Sequence, residues 1–159
     1  MITLGLDPGI SATGYGAVVF DRGSLTLERC GVWRPPDGLD FPVRLHFLFE
    51  RLVALLGELR PEAVSVETVF AAKNISSTVK LSHARGVLLA AAARFEIPVF
   101  EYEPRLVKKA LVGYGHAEKP QVRAMVLALL ARQRDRVPLD AADALAVAIC
   151  HLHARPPGS

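Results

Sequence analysis

The stretch Ile2–Gly16, ITLGLDPGISATGYG, decides how the rest of the chain is interpreted. It opens with an apolar run bounded by turn residues, a pattern that predicts a buried β-strand. A single carboxylate, Asp7, stands where this strand ends, and a second apolar run follows at Gly16–Phe20. We therefore predict a β-hairpin with one acid at the mouth of a sheet. An acid in that place suits a hard metal ion, although Asp-Pro-Gly is equally typical of an ordinary turn.

Composition favours a single globular domain. The chain has 159 residues, of which 51% are hydrophobic, enough for a sizeable core and too apolar for disorder. We assign residues 1–154 to this domain and expect residues 155–159 to be a flexible tail. No apolar run is long enough to cross a membrane, and the strand at Ile2 leaves no room for a signal peptide. We therefore expect a cytoplasmic protein in which Cys30 and Cys150 are free thiols.

The order of predicted elements indicates an α/β domain with a mixed sheet. A third strand, Ser24–Trp33, is followed by a leucine-rich helix that Asp40 can cap and that Pro61 ends. A short buried strand, Ala63–Glu67, comes next. The remaining predicted elements are a helix over Ser76–Phe95, a strand over Ile97–Tyr102, a short helix from Glu103 to Leu111, a helix over Glu118–Arg132 and a last helix from Leu139 to about His153.

Four acids stand at the ends of these elements. Asp7 and Glu67 each end a strand, so both emerge at the same edge of the sheet if the two strands are neighbours. Asp140 and Asp143 lie three residues apart at the start of an apolar helix and share one helix face. First-turn acids are ordinary in helices, but a helix this apolar leaves its acids costly unless they line a cleft or hold a cation. Clustered oxygen ligands would hold two Mg²⁺ or Mn²⁺ ions.

Basic residues are concentrated in one segment. Arg105–Arg136 carries a net charge of +6, whereas the whole chain carries only +3. Such asymmetry indicates a polyanionic partner, and the alternative is a solvated helix surface. Together with four clustered acids, this segment predicts a site that holds a nucleic acid and cuts a phosphodiester.

Seven motifs in the order GLDPG, TGYG, VETVFAAKN, KLSHARG, VFEY, VGYGHAEK and DAADALAVAICH span nearly the whole chain. Together they resemble the RuvC family of bacterial Holliday junction resolvases. The resemblance implies an RNase H-like fold, a mixed five-stranded sheet with helices on both faces. It also implies a homodimer that acts in recombination and repair with the RuvAB branch-migration complex. Such a dimer cuts four-way junction DNA symmetrically with divalent metal, leaving 5′-phosphate and 3′-hydroxyl ends.

The resemblance also assigns roles to individual residues. The catalytic and metal-binding acids it implies are Asp7, Glu67, Asp140 and Asp143, and the DNA-binding residues are Phe70, Lys73, Lys108 and Lys119. Phe70 would stack on a junction base, an interaction that contributes roughly 1–3 kcal/mol, although packing in the core is its alternative. The small residues of the helix Ser76–Phe95, Gly86 among them, fit either a dimer interface or packing on the chain's own sheet. The resemblance favours the interface.

Other functions remain open from residue patterns alone. An actin-like or sugar-kinase-like ATPase also begins with a strand, an acid and small polar residues, but it needs a second phosphate loop and a second lobe. A DNA-binding module without catalysis would lack one or more of the four acids. An RNase H-like nuclease with another substrate is disfavoured only by the resemblance. We further expect the glycines around Asp7 to keep its loop compact, so that a DNA backbone can come close.

Overall fold

A computed structural model of the chain describes residues 1–68, 74–130, 137–138 and 141–154. Its strands are β1 (Ile2–Asp7), β2 (Thr13–Asp21), β3 (Ser24–Trp33), β4 (Ala63–Glu67) and β5 (Val99–Tyr102). Its helices within these ranges are α1 (Phe41–Leu59), α2 (Ile75–Arg94), α3 (Pro104–Val112), α4 (Lys119–Leu129) and α5 (Ala142–Ala154).

The five strands form one mixed sheet in the order β3-β2-β1-β4-β5. The strand β2 is antiparallel to both β1 and β3, as the predicted hairpin requires. Both β1 and β5 run parallel to β4. The carboxyl ends of β1, β4 and β5 therefore meet at one edge of the sheet, which is where ligand sites form in sheets of this kind.

Side chains alternate between the two faces along each strand, so the sheet contributes to two separate cores, one on each face. Leu4 and Leu6 of β1 and Val64 and Val66 of β4 are buried together with residues of α1 and α2. The opposite face is covered by α3, α4 and α5, whose buried residues form the second core. Because β1 side chains alternate, Asp7 belongs to the α5 side of the sheet.

Two glycines allow α5 to lie directly on the strands. A methyl group added at Gly5 would lie only 1.9 Å from the carbonyl oxygen of Ala144, and one added at Gly16 would lie 2.5 Å from the Leu145 side chain. The helix itself is almost wholly buried. These glycines therefore set the depth at which α5 packs, which differs from the loop-compacting role that the sequence indicated. Gly9 keeps the expected role, because a Cβ there would lie 2.0 Å from the carbonyl oxygen of Ala12.

Element bounds agree with the sequence prediction apart from small shifts. The strand predicted from Ile97 begins at Val99, after Ile97 donates its N–H to Ala92 at the end of α2. The helix α2 begins one residue earlier and ends one residue earlier than predicted. Asp40 occupies the N-cap position of α1, but its side chain makes no capping hydrogen bond. The predicted helix end at Arg132 and helix start at Leu139 lie outside the described residues.

Two further findings concern the cysteines and the absence of a membrane-spanning helix in the described residues. Among the described residues neither Cys30 nor Cys150 takes part in a disulfide, and Cys150 is buried whereas Cys30 is half-buried. Among the residues with described positions, no helix has the length and apolar character needed to cross a membrane.

Candidate active site

Asp7 and Glu67 are brought together by the register of two parallel strands. Leu6 of β1 lies beside Val66 of β4, so the acids that follow them leave the sheet side by side. Both acids occupy positions that alternate with residues buried under α1 and α2, and they therefore project toward the α5 face. The sequence placed these acids together on the condition that the two strands are neighbours, and β1 and β4 are neighbours in the sheet.

The third acid, Asp143, comes from the first turn of α5. This helix crosses β1 and β2 with its buried face against Gly5 and Gly16, which fixes where its first turn lies. Asp143 joins Asp7 and Glu67 in the lining of one small cavity. We call these three residues the acid cluster. Residues far apart in the sequence, from the first strand to the last helix, thus reach one site.

The acids of the cluster influence one another's ionisation. The pKa of Asp7 is raised from 3.8 to about 6, chiefly by burial and then by the negative charge of Asp143. Burial likewise raises the pKa of Glu67, followed by the charges of Asp7 and Asp143. The negative charges of the cluster thus make ionisation of Asp7 and Glu67 harder, so the cluster attracts positive charge.

Lys119 supplies one such positive charge. Its Nζ donates a hydrogen bond to Oδ2 of Asp143 at 2.8 Å. This pairing raises the pKa of Lys119, and the Lys119 charge in turn opposes the raised pKa values of Asp7 and Glu67. The Lys119 side chain is 81% exposed, so its ammonium can leave Asp143 for an incoming anion at little cost.

Local structure holds Lys119 and Asp7 in place. Lys119 is the first residue of α4, whose start is fixed where the N–H of Glu118 donates to Oε1 of Gln121 at 2.8 Å. The loop after Asp7 is closed by Thr13, whose hydroxyl donates to the carbonyl oxygen of Gly9 at 2.9 Å. Both segments border the acid cluster, so the loop and the helix start form part of one pre-arranged site.

Lys108 of α3 completes the edge of the small cavity on the β5 side. Its charge opposes the raised pKa of Glu67, which shows that it lies within electrostatic reach of the acid cluster. The structure thus brings together five of the eight residues singled out from the sequence. The other three, Asp140, Phe70 and Lys73, lie outside the described residues.

A larger cavity of about 760 Å³ opens from the acid cluster toward the β2–β3 side. Its floor includes Asp7 and Asp143, and its wall is one face of α4 that carries Lys119 and Arg123. In the sequence, Arg123 stood out only as one charge of the basic segment. Its position four residues after Lys119 is the signal that could have identified it, because residues i and i+4 share a helix face.

The chemistry of the acid cluster fits a hard divalent cation. Its three carboxylates offer oxygen atoms only, the ligand type that Mg²⁺ and Mn²⁺ prefer, and their mutual repulsion is relieved by a cation. In the part of the chain with described positions, no three His, Cys, Asp or Glu side chains are placed so that they could hold a metal ion as they stand. Instead the Lys119 ammonium sits on Asp143. Asp7, Glu67 and Asp143 are therefore the described residues suited to hold such an ion.

Comparison with known proteins identifies the family. The family model for "crossover junction endodeoxyribonuclease RuvC" matches residues 3–151. The chain belongs to the RuvC family. Curated relatives of that name include the protein of Syntrophomonas wolfei, which is 47% identical over 96% of this chain and 89% of its own length. The protein of Solidesulfovibrio magneticus is 48% identical over 97% of this chain and 90% of its own length.

A solved structure extends the RuvC comparison to three dimensions. Thermus thermophilus RuvC in complex with a Holliday junction substrate matches with a TM-score of 0.90 and 34% sequence identity. The match covers 97% of this chain and 94% of that one. The predicted RNase H-like fold, with a mixed five-stranded sheet and helices on both faces, is thereby confirmed.

Proposed function

We propose that this chain is a Holliday junction resolvase, a metal-dependent DNA endonuclease of recombination and repair. It binds four-way junction DNA and cuts two symmetry-related strands, leaving 5′-phosphate and 3′-hydroxyl nicks. One observation carries the proposal: acids from β1, β4 and α5 meet in one cavity whose edges are Lys108 and Lys119. Membership of the RuvC family supports the same activity.

Each part of the site has a role in this proposal. Lys119 and Lys108 bind backbone phosphates and draw the scissile phosphodiester toward the acid cluster. Asp7, Glu67 and Asp143 hold two Mg²⁺ ions, for which Mn²⁺ can substitute, with Asp140 as the fourth ligand by its motif. When bound, these ions supply a nucleophile from water and stabilise charge on the phosphate and the leaving oxygen. The burial that raises the pKa of Asp7 also excludes water, which strengthens each charge interaction.

Phe70 and Lys73 belong to the proposed DNA-binding set by their place in the motif VETVFAAKN. Phe70 stacks on a base at the junction and Lys73 contacts a phosphate beside it. Replacing Phe70 by alanine should weaken junction binding about 5- to 150-fold, equivalent to roughly 1–3 kcal/mol. The comparison with linear duplex, where fewer bases are unstacked, shows whether the effect is specific to the junction.

We also propose a homodimer assembled through α2. One stripe of this helix is exposed, and it includes Ile75 (80% exposed), Val79 (48% exposed) and Gly86. These positions lie four and seven residues apart and so share one side of the helix. A Cβ added at Gly86 would have no atom within 4 Å, so no packing inside the monomer requires a glycine there. A C2 dimer built on this stripe presents two active sites to a junction of similar symmetry.

The dimer interface can be tested with two matched glycines. Gly57 of α1 also has open space around its Cα and lies off the α2 stripe. Gly86→Glu should convert the dimer to a monomer in sedimentation velocity, because it places a charge in an apolar contact. Gly57→Glu should leave the dimer intact. Equal dissociation by both variants, or by neither, would contradict an interface at Gly86.

Further features of the proposal rest on the family resemblance. Residues 1–154 form one nuclease domain that acts on cytoplasmic DNA. The enzyme is coupled to the RuvAB branch-migration complex, a partnership testable by adding that complex to the cleavage reaction and measuring the cutting rate. A rate that does not change would contradict the coupling.

The decisive experiment compares a synthetic four-way junction with linear duplex of the same sequence. With Mg²⁺ or Mn²⁺ the protein should place two symmetric nicks in the junction and leave the duplex intact. With EDTA it should bind the junction without cutting. Cleavage of both substrates at equal rates, or cleavage in EDTA, would refute the proposed function.

A further inference from the structure

The larger cavity beside the acid cluster is open space that the acids and Lys119 do not account for. Its volume of about 760 Å³ is within the range of sites that enclose a sizeable ligand. Apart from the site residues, it is lined chiefly by small and apolar side chains, with Val32 on the β3 side and Ala124 and Leu127 on α4. A basic residue in such surroundings interacts more strongly with an anion than it would in water.

Arg123 is the basic residue that the cavity adds to the site. It follows Lys119 by one helical turn, so the two residues line the same cavity about 6 Å apart along the α4 axis. Within the residues whose positions are described, its buried Nε has no hydrogen-bond partner. A buried donor without an acceptor is unfavourable, so the Arg123 guanidinium has donor capacity that the described side chains do not use.

The acids of the site do not supply that acceptor. Asp143 is paired with Lys119 instead. Arg123 lines the larger cavity but not the small cavity in which the three acids meet. Its guanidinium presents a planar set of donors that matches two oxygens of one phosphate.

We propose that Arg123 binds a backbone phosphate of the DNA strand that is cut, on the β2–β3 side of the scissile position. The strand then crosses the exposed face of α4, with Lys119 at the phosphate nearest the acid cluster and Arg123 at a neighbouring one. Arg123 is a positioning residue: it fixes the register of the strand and takes no part in the chemical step. This inference rests on the proposed function, because it needs a DNA strand in the site.

The first test measures junction binding in EDTA, where no cleavage complicates it, as salt is raised from about 50 to about 200 mM. Arg123→Gln should lower the slope of log affinity against log salt by about 0.9 for each phosphate that the variant no longer neutralises. Arg123→Lys should keep the slope, because it keeps the charge. The control is Arg94→Gln at the exposed end of α2, which lies at the opposite edge of the sheet and should leave the slope unchanged.

The second test locates the phosphate with single methylphosphonates, each of which removes the charge of one phosphate in the cut strand. One substitution near the scissile position should weaken binding by the wild-type protein and have no effect on Arg123→Gln, because both changes remove the same interaction. Equal losses for both proteins at every position would overturn the proposal. So would a salt slope for Arg123→Gln equal to that of wild type or of Arg94→Gln.

These outcomes are separate from those that refute the proposed function. If the wild-type protein does not prefer the junction over duplex, the proposed resolvase function is refuted. A wild-type protein that binds and cuts the junction normally, while Arg123→Gln matches it in both tests, refutes only the role of Arg123. Urea unfolding of each variant is compared with that of wild type. Equal curves show that weaker binding does not come from an unfolded protein.

Discussion

The glycines of the strands under α5 and the glycines of the helices on the opposite face have different surroundings. Beneath α5, Gly5 of β1 and Gly16 of β2 have no room for a side chain, because the helix backbone and Leu145 lie against them. On the opposite face, Gly57 of α1 and Gly86 of α2 are surrounded by open space. The strand glycines therefore hold the first turn of α5, with Asp143, at the acid cluster. The helix glycines lie on outer surfaces that are available for assembly.

This difference between the two faces predicts that chemistry and assembly can be separated by mutation. Asp7→Asn should lower cleavage of a four-way junction at least about 100-fold, because it removes a proposed metal ligand and a charge from the acid cluster. Junction binding and the proposed dimer should remain, since the variant also removes a negative charge that would face DNA. Single-turnover cleavage and EDTA binding assays measure the two effects. Metal-dependent cutting by Asp7→Asn at the wild-type rate would show that Asp7 is not part of the catalytic site.

Replacement by alanine should change the stability of the protein in opposite directions at the closely packed strand glycines and at the exposed helix glycines. Gly5→Ala should destabilise the protein by about 3 kcal/mol, because its methyl group meets the backbone of α5 rather than a movable side chain. Gly57→Ala should stabilise it by about 0.5–1 kcal/mol, since alanine is the better helix former and has space. Urea unfolding at one protein concentration measures both.

If Gly5→Ala does not fold, its loss of unfolding free energy cannot be measured. Gly16→Ala is then the variant to measure, because it should destabilise the protein less. Its new methyl group meets chiefly the side chain of Leu145, which can shift. The expected loss is therefore smaller than that of Gly5→Ala. Wild-type stability in both variants would show that α5 does not need close contact with β1 and β2.

The sequence predicted the positions of the site residues that lie on strands better than those of the site residues that lie on helices. Asp7 and Glu67 could be placed together because each directly follows a buried strand, and strand ends in one sheet meet by topology. The ion pair between Lys119 and Asp143 could not be predicted. It depends on how α4 crosses α5, and helix crossing is set by packing rather than by periodicity.

The glycines near Asp7 show the same limit. Their proximity to the acid suggested a role in the loop, which holds for Gly9. The sequence has no local signal that Gly5 and Gly16 face the last helix of the chain. Only the three-dimensional packing of α5 reveals that contact. Family resemblance identified the acids but could not supply this physical reason for their positions.

Stability should also depend on pH through Asp7, on the α5 face of the sheet. The pKa of Asp7 in the folded protein is raised from 3.8 to about 6, so its ionised form is disfavoured by folding. This penalty is absent below about pH 4, grows as pH rises through about 6 and is constant above that. In EDTA, Asp7→Asn should therefore be more stable than wild type by about 1–3 kcal/mol at about pH 8. The gain should largely disappear at about pH 4.

Thermal unfolding of wild type and Asp7→Asn across the pH range measures this dependence. The difference in stability between the two proteins should grow as pH rises from about 4 to about 8. Saturating Mg²⁺ should cancel or reverse the gain at high pH, because wild type then has the additional ligand for the ion. A gain for Asp7→Asn that is equal at low and high pH would contradict a raised pKa at this position.

A small effect is expected at a buried hydrogen bond between β5 and α5. The hydroxyl of Tyr102 lies 2.7 Å from Nδ1 of His151, and both side chains are buried. Tyr102→Phe should cost about 1 kcal/mol in urea unfolding, the usual contribution of such a bond. Tyr114→Phe, at a residue 46% exposed, should cost nothing. Because Tyr102 precedes α3 with its Lys108, a fall in cleavage beyond the fall in stability would show that this bond also positions the DNA-binding edge of the site.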